Sequence, residues 1–253
     1  MMFEQFSQGT SLLHRGDVRI KIVSALTLVP VLALSRSPWI VLAGLFFGLV
    51  LVATARLDTP ALLRRLLVVN GFVLFLWLTL PLTYPGQPIA ALGPLVISGP
   101  GVVLATLITL KANGIVLLLI ALLATSTIAD IGYGLERLRL PRKLCLLLLF
   151  SYRYIFVIHQ EYQRLARAAR LRCFQPGTNL HTYRTFGYLL AMTLLKSWQR
   201  AERVRQAMLL RGFEGQFHSI NRGTIKRGDL LFLGVMVALA IMLITGEALL
   251  TRL

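Results

Sequence analysis

Five stretches of this 253-residue chain are apolar over lengths that suit a lipid bilayer: Ile20 to Ser35, Pro38 to Ala55, Leu66 to Tyr84, Val102 to Ala129 and Leu230 to Leu250. About 20 residues of helix cross the hydrocarbon core, and only helices or closed barrels satisfy the backbone there. With 56% of its residues hydrophobic, the chain is expected to be an all-α, polytopic membrane protein with about five transmembrane helices and long cytoplasmic helices. The first two spans are short and separated by a couple of residues, so a tight helical hairpin is expected, with Pro30 tolerated as a kink. Gly44 and Gly48, in "GLFFG", have the spacing that lets membrane helices approach closely and are assigned to packing. No short apolar core with a small-residue cleavage site marks the N-terminus, so the first segment is expected to be retained.

Charge orients the spans, because Lys and Arg near span ends stay on the cytoplasmic side. Arg15, Arg19 and Lys21 precede the first span, and Arg56, Arg64 and Arg65 separate the second from the third. An N-terminus in the cytoplasm follows. The uncharged loop "PGQPIAALGPLVISGPG" then lies outside, as does Arg36. The expected organisation is four membrane helices over residues 1–129, a cytoplasmic region over 130–229 and a last membrane helix over 230–253.

The cytoplasmic region carries most of the charge. From Arg137 to Arg227 there are eighteen of the 27 basic residues against Glu161, Glu202 and Glu214, a net charge of +15. A soluble nucleic-acid binder does not alternate such segments with membrane spans, so the basic balance points elsewhere. The pattern is helical. Pro141 can open a helix, and "RKLCLLLLFSYRYIFVIHQEYQRLARAARLR" is apolar first and basic later, a helix that starts against the membrane and ends in water. After the breaker "CFQPGTN" a second helix is expected from about Tyr183 to Arg211, ended by Gly212. Leu190, Leu194, Ala201, Val204 and Met208, with Trp198 beside them, share one stripe, while Lys196, Arg200, Arg203 and Arg211 share another. The two helices end alike, in "RLRCF" and "LLRGF": an arginine stands two positions before a phenylalanine, 39 residues apart.

Three functions remain compatible with these residues. The basic face could lie on anionic lipid, where each cation near the surface is worth about 1 kcal/mol. A membrane enzyme is the second; the acids are scattered, the four histidines share no ligand spacing, and no phosphate-binding Walker loop is present. Cys145 and Cys173 are too few and too distant for a disulfide framework or a zinc site and are expected as reduced thiols. The third is a coupling subunit whose arginines grip carboxylates on a partner. Lys111, inside the fourth span, is either a site or a snorkelling side chain. Asp130 and Glu136 are expected to cap or pair locally.

The stretch "GLERLRLPRKLCLLLLFSYRYIFVIHQEYQRLARAARLRCFQP" together with "KSWQRAERVRQAMLLRGFEGQFH" resembles the transmembrane coupling (T) component of energy-coupling-factor (ECF) transporters, in the cobalt and nickel branch (CbiQ-like). The resemblance covers about residues 120–218 and, more weakly, "GDVRIKIVSAL" at 16–26. It implies a multi-pass protein of the bacterial inner membrane that binds no cofactor itself. Its partners would be a pair of cytoplasmic P-loop ATPases holding ATP and magnesium, and a substrate-binding membrane subunit, for cobalt(II) first and nickel or a vitamin as alternatives. Two coupling helices would end in Ala-Arg-Gly-type motifs whose arginines dock in acidic grooves on the ATPases. The matching positions are Arg172 with Cys173 and Arg211 with Gly212. Leu171 and Leu210 replace the alanines, and Cys173 replaces the first glycine. That replacement is expected to disturb the first helix end, since a residue with a side chain tolerates left-handed backbone poorly. Arg164, Arg167, Arg170, Arg200 and Arg203 would support the docking charge, and the stripe Leu190, Leu194, Trp198, Ala201, Val204 and Met208 would hold the coupling helices together.

Overall fold

The computed structural model describes residues 6, 9, 11–92, 95–215 and 227–250. The order is α1 (Leu12–Arg15), α2 (Val18–Leu34), α3 (Pro38–Ala55), α4 (Thr59–Thr83), strands β1 (Pro88–Leu92) and β2 (Leu95–Ser98), then α5 (Gly99–Leu119) running into a π-helical stretch, Ile120–Ala124. α6 (Ile128–Arg137), α7 (Arg142–Leu171), α8 (Leu180–Leu210) and α9 (Arg227–Leu250) follow. Among the described residues the regular structure is helical apart from one antiparallel pair, β1 on β2, in the uncharged loop. Two compact units divide it: residues 1–138 with 222–253, and residues 139–221.

In the first unit α3 and α5 pack together, α4 lies along α5, and α2 packs against α9, α5 and α6. Leu28, Leu32, Val41, Leu118, Leu122 and Met236 are almost wholly buried at its centre. The "GLFFG" reading holds. A Cβ on Gly48 would meet the Gly114 carbonyl at 3.4 Å, and one on Gly44 would meet Leu32 Cδ1 at 2.4 Å, so both glycines sit where helices touch. Polar ties complete the packing. Asn70 and Asn113 exchange amide hydrogen bonds between α4 and α5 at 2.9 and 3.0 Å. Glu247 of α9 accepts the backbone N–H groups of Arg36 and Ser37, serving the first turn of α3. Lys111 donates to the Ala33 carbonyl at 2.9 Å, so it caps the end of α2.

Among the described residues five helices are long and apolar enough to cross a membrane: Pro38–Ala55, Thr59–Thr83, Gly99–Ala124, Arg142–Leu171 and Arg227–Leu249. The set differs by one from the sequence expectation. At 17 residues, α2 reaches about 26 Å, the lower end of what crosses a hydrocarbon core of about 30 Å, and it is heavily buried in its own unit. By length and composition α7 joins the set, with a best-window mean hydropathy of 1.2 against 2.1 to 2.3 for the other four. Asp130 and Thr127 cap α6 reciprocally: the Thr127 hydroxyl accepts the Asp130 N–H and donates to its carboxylate.

Candidate docking site on two basic helices

The second unit is built from α7, α8 and the link between them. α8 begins three residues earlier than the apolar pattern suggests, because Asn179 Oδ1 accepts the Thr182 N–H at 2.9 Å and caps it. The Gly177 N–H in turn donates to the Thr182 hydroxyl. Phe174 folds back on α8, its ring 5.8 Å from Phe186 and 6.2 Å from His181. The end of α7 is therefore fastened to the first turns of α8.

Farther along, Glu161 ties the helices together. It is buried, and its carboxylate reaches Lys196 Nζ at 2.8 Å, Arg200 at 3.6 Å and Arg164 at 3.5 Å. Because Phe174 meets Phe186 while Glu161 meets Lys196 and Arg200, the two helices run antiparallel. The residues that α8 turns inward are Leu189, Thr193 and Lys196, one row around from the predicted packing stripe. That stripe is not closed against α7. Leu190, Leu194 and Trp198 are 57, 72 and 75% exposed. Leu194, Trp198, Ala201, Val204 and Met208 instead wall an open groove of about 1180 Å³ with Phe150, Tyr154, Ile155 and Ile158 of α7. The physical reason is the ion cluster: satisfying Glu161 with two cations of α8 rotates the Lys196–Arg200 row inward and the apolar row out. Glu161 is the signal that sequence reasoning passed over, being the one acid between Glu136 and Glu202.

The two helix ends are the same structure twice. After α7, the Cys173 N–H donates to the Arg170 carbonyl and the Phe174 N–H to that of Ala169, at 3.0 and 3.2 Å. After α8, the Gly212 N–H donates to Leu209 and the Phe213 N–H to Met208, both at 3.0 Å. Each is a Schellman end, with a left-handed residue at φ +63° for Cys173 and +72° for Gly212. The expected disturbance from Cys173 does not occur: the thiol side chain accepts the left-handed conformation.

Arg172 and Arg211 stand at the cap positions and are exposed, and neither side chain pairs with another described residue. Before each arginine stands a leucine that is almost bare, Leu171 at 87% and Leu210 at 89% exposed. The ends are far apart. Phe186, beside the first, and Arg211, at the second, are separated by 25 residues of α8, about 38 Å at 1.5 Å per residue.

The five supporting arginines divide. Arg164 and Arg200 are committed to Glu161, whereas Arg167, Arg170 and Arg203 are exposed without a described ion pair. Glu202 is held by Arg205, whose hydrogen bond keeps its carboxyl below the ordinary carboxylate range. Its charge is paired with Arg205, and it makes no described ion pair with Arg203. Among the described residues no group of three His, Cys, Asp or Glu side chains could hold a metal. Gln216, Phe217 and His218 of the "RGFEGQFH" stretch lie outside the described residues.

Residues 9–221 match the family model CbiQ, "Cobalt transport protein". The "Energy-coupling factor transporter transmembrane protein EcfT" of Bacillus subtilis (strain 168) is 27% identical over 262 residues, spanning 99% of this chain and 97% of the relative. The protein of the same description from Acidaminococcus fermentans is 26% identical across 94% of both chains, and that of Bacillus selenitireducens 26% identical across 83% of both. The twin arginine helix ends thus stand in a multi-pass chain that belongs to the CbiQ cobalt transport family and is the transmembrane (T) component of an ECF transporter.

Proposed function

We propose that this membrane coupling subunit transmits the ATP-driven movement of two cytoplasmic P-loop ATPases to a substrate-binding membrane subunit, and that α7 and α8 are its levers. The observation that carries the reading is the repeated helix end. Two Schellman turns present an exposed, unpaired arginine each, on the order of 40 Å apart along one helical hairpin. Such spacing suits a partner made of two like subunits, each offering an acidic groove to a guanidinium that stays charged and can bind a carboxylate through two N–H groups. ATP and magnesium belong to those ATPases. This chain would contribute no catalytic residue.

The apolar groove between α7 and α8 supports a second contact. Leu194 and Trp198 are exposed on its wall, and the substrate-binding subunit, itself embedded in the membrane, is the partner whose chemistry suits them. The orientation that fits is the one given by the basic span ends, with the N-terminus in the cytoplasm and the protein in the bacterial cell membrane. Cobalt(II) is the favoured substrate, supported by the description of the family model matched over residues 9–221. Nickel or a vitamin is the alternative.

Purification from native membranes in mild detergent, with mass spectrometry of what accompanies the chain, tests the reading. Wild type should bring down a P-loop ATPase and a small membrane subunit, whose identity then reports the substrate. Arg211→Glu should insert normally and lose the ATPase. Undiminished ATPase recovery with both Arg172→Glu and Arg211→Glu in place would overturn the docking assignment.

A further inference from the structure

A second groove, of about 600 Å³, opens in the first unit between the start of α4 and the π-helical end of α5. Its α4 wall is one helical face, Ala61, Arg64, Arg65, Val68 and Val69, and Leu119, Ile120 and Leu123 stand opposite. The lining is polarised. Both arginines and Ser126 lie toward one end, and toward the other the walls are apolar, Val68 and Val69 of α4 with Val116, Leu119 and Ile120 of α5 and its π-helical continuation. Arg64 is exposed and pairs with no described residue, while the ring of Phe6 lies 4.6 Å from the Arg65 guanidinium carbon and covers one face of that group. A guanidinium stacked in this way keeps its in-plane N–H donors for an anion.

Ser126 adds a third donor. Its buried Oγ accepts from Lys21 Nζ at 2.9 Å, and Lys21 itself is 2% exposed. The hydroxyl proton of Ser126 has no acceptor among the described residues, which leaves it to donate into the groove. Asp130, the nearby acid, is occupied by its cap with Thr127 at 2.6 Å.

We infer that this groove binds one anionic glycerophospholipid, its phosphate held by Arg64, Arg65 and Ser126 and an acyl chain lying against Val68 and Ile120. A groove that is cationic at one end and apolar along its length matches an amphiphile with the opposite pattern, and basic pockets between membrane helices near the interface hold anionic headgroups. The lipid would fasten α4 to the junction of α5 and α6. This assignment does not rest on the docking of ATPases.

The full-length protein in a neutral detergent, titrated with phosphatidylglycerol or phosphatidylcholine and read by native mass spectrometry and thermal unfolding, tests it. One phosphatidylglycerol should stay bound and raise the melting temperature, with phosphatidylcholine bound about tenfold more weakly or worse. Arg64→Gln with Arg65→Gln should lose that preference, and Ser126→Ala should weaken it, while Arg56→Gln, at the end of α3 and outside the groove, should keep it. Equal retention of the two lipids by wild type would overturn the site. So would a double variant, folded in neutral detergent with an unchanged melting temperature, that keeps the preference. Equal stabilisation by inorganic phosphate alone would make it a site for a soluble anion and overturn the lipid.

Discussion

Cys173 superimposes in conformation on Gly212: both are left-handed, and each is followed by a phenylalanine whose N–H closes the same Schellman turn onto its helix. A side chain in that region costs about 1 kcal/mol relative to glycine. Cys173→Gly should therefore stabilise the end of α7 by about 1 kcal/mol and leave ATPase recruitment intact, whereas Gly212→Ala should destabilise the end of α8 by a similar amount. Thermal unfolding followed by tryptophan fluorescence, alongside copurification, reads both. A Cys173→Gly variant that loses recruitment would show that the thiol itself takes part in docking.

Cys173 is exposed and Cys145 buried. A maleimide should thus modify the first and spare the second in the folded protein. Assembly with the ATPases should slow labelling at Cys173, because the thiol adjoins Arg172. Labelling at the same rate with and without saturating ATPase would place the contact elsewhere.

Leu171 and Leu210 are nearly bare beside their arginines, an arrangement that a monomer in water has no reason to keep. Burying one leucine fully is worth about 1.5–3 kcal/mol, which corresponds to a change in affinity on the order of tenfold or more. Leu210→Ala should weaken ATPase binding by about that factor while the melting temperature of the isolated subunit stays put. Binding unaffected by Leu171→Ala and Leu210→Ala together would mean that the arginines dock alone.

Much of the fold could be read in the chain because lipid leaves few choices: long apolar runs became helices α3 and α9 within three residues of their expected ends, while α4 starts at Thr59 instead of Leu66 and α5 with its π-helical stretch ends at Ala124 instead of Ala129. The helix ends of the candidate site were equally legible, since arginine followed by a turn residue and phenylalanine occurs twice. What periodicity could not resolve was which row of α8 faces α7. Rows 189–193–196–200 and 190–194–198–201 are both helical stripes, and the choice between them was made by Glu161, thirty-five residues away in sequence from Lys196. The strand pair β1–β2 was hidden for another reason, since prolines at both 88 and 94 argue against strands, yet Leu92 pairs opposite Leu95.

Glu161 therefore has a testable role as the joint of the hairpin. Glu161→Ala leaves Lys196 and Arg200 without their shared acceptor, and it should lower the melting temperature and reduce transport while ATPase binding at the helix ends persists. The exchanged pair Glu161→Lys with Lys196→Glu should recover part of both properties, because the 2.8 Å contact can be rebuilt with the charges reversed. A Glu161→Ala variant with full stability and full transport would remove the cluster from the coupling path.

Gly101 offers the most direct test of packing in the membrane unit. A Cβ there would stand 2.7 Å from the Leu80 carbonyl oxygen and 2.9 Å from Pro81 Cα, both backbone atoms at the end of α4 that cannot swing aside. Gly71, on the same helix α4, has nothing within 4 Å of the corresponding position. Gly101→Ala should therefore destabilise the protein by about 1–3 kcal/mol through overpacking, while Gly71→Ala should be neutral or stabilising by up to about 1 kcal/mol, since alanine favours helix. Thermal unfolding of the two variants in one detergent checks the contrast. Equal melting temperatures would show that α4 and α5 separate at that end more easily than their contact implies.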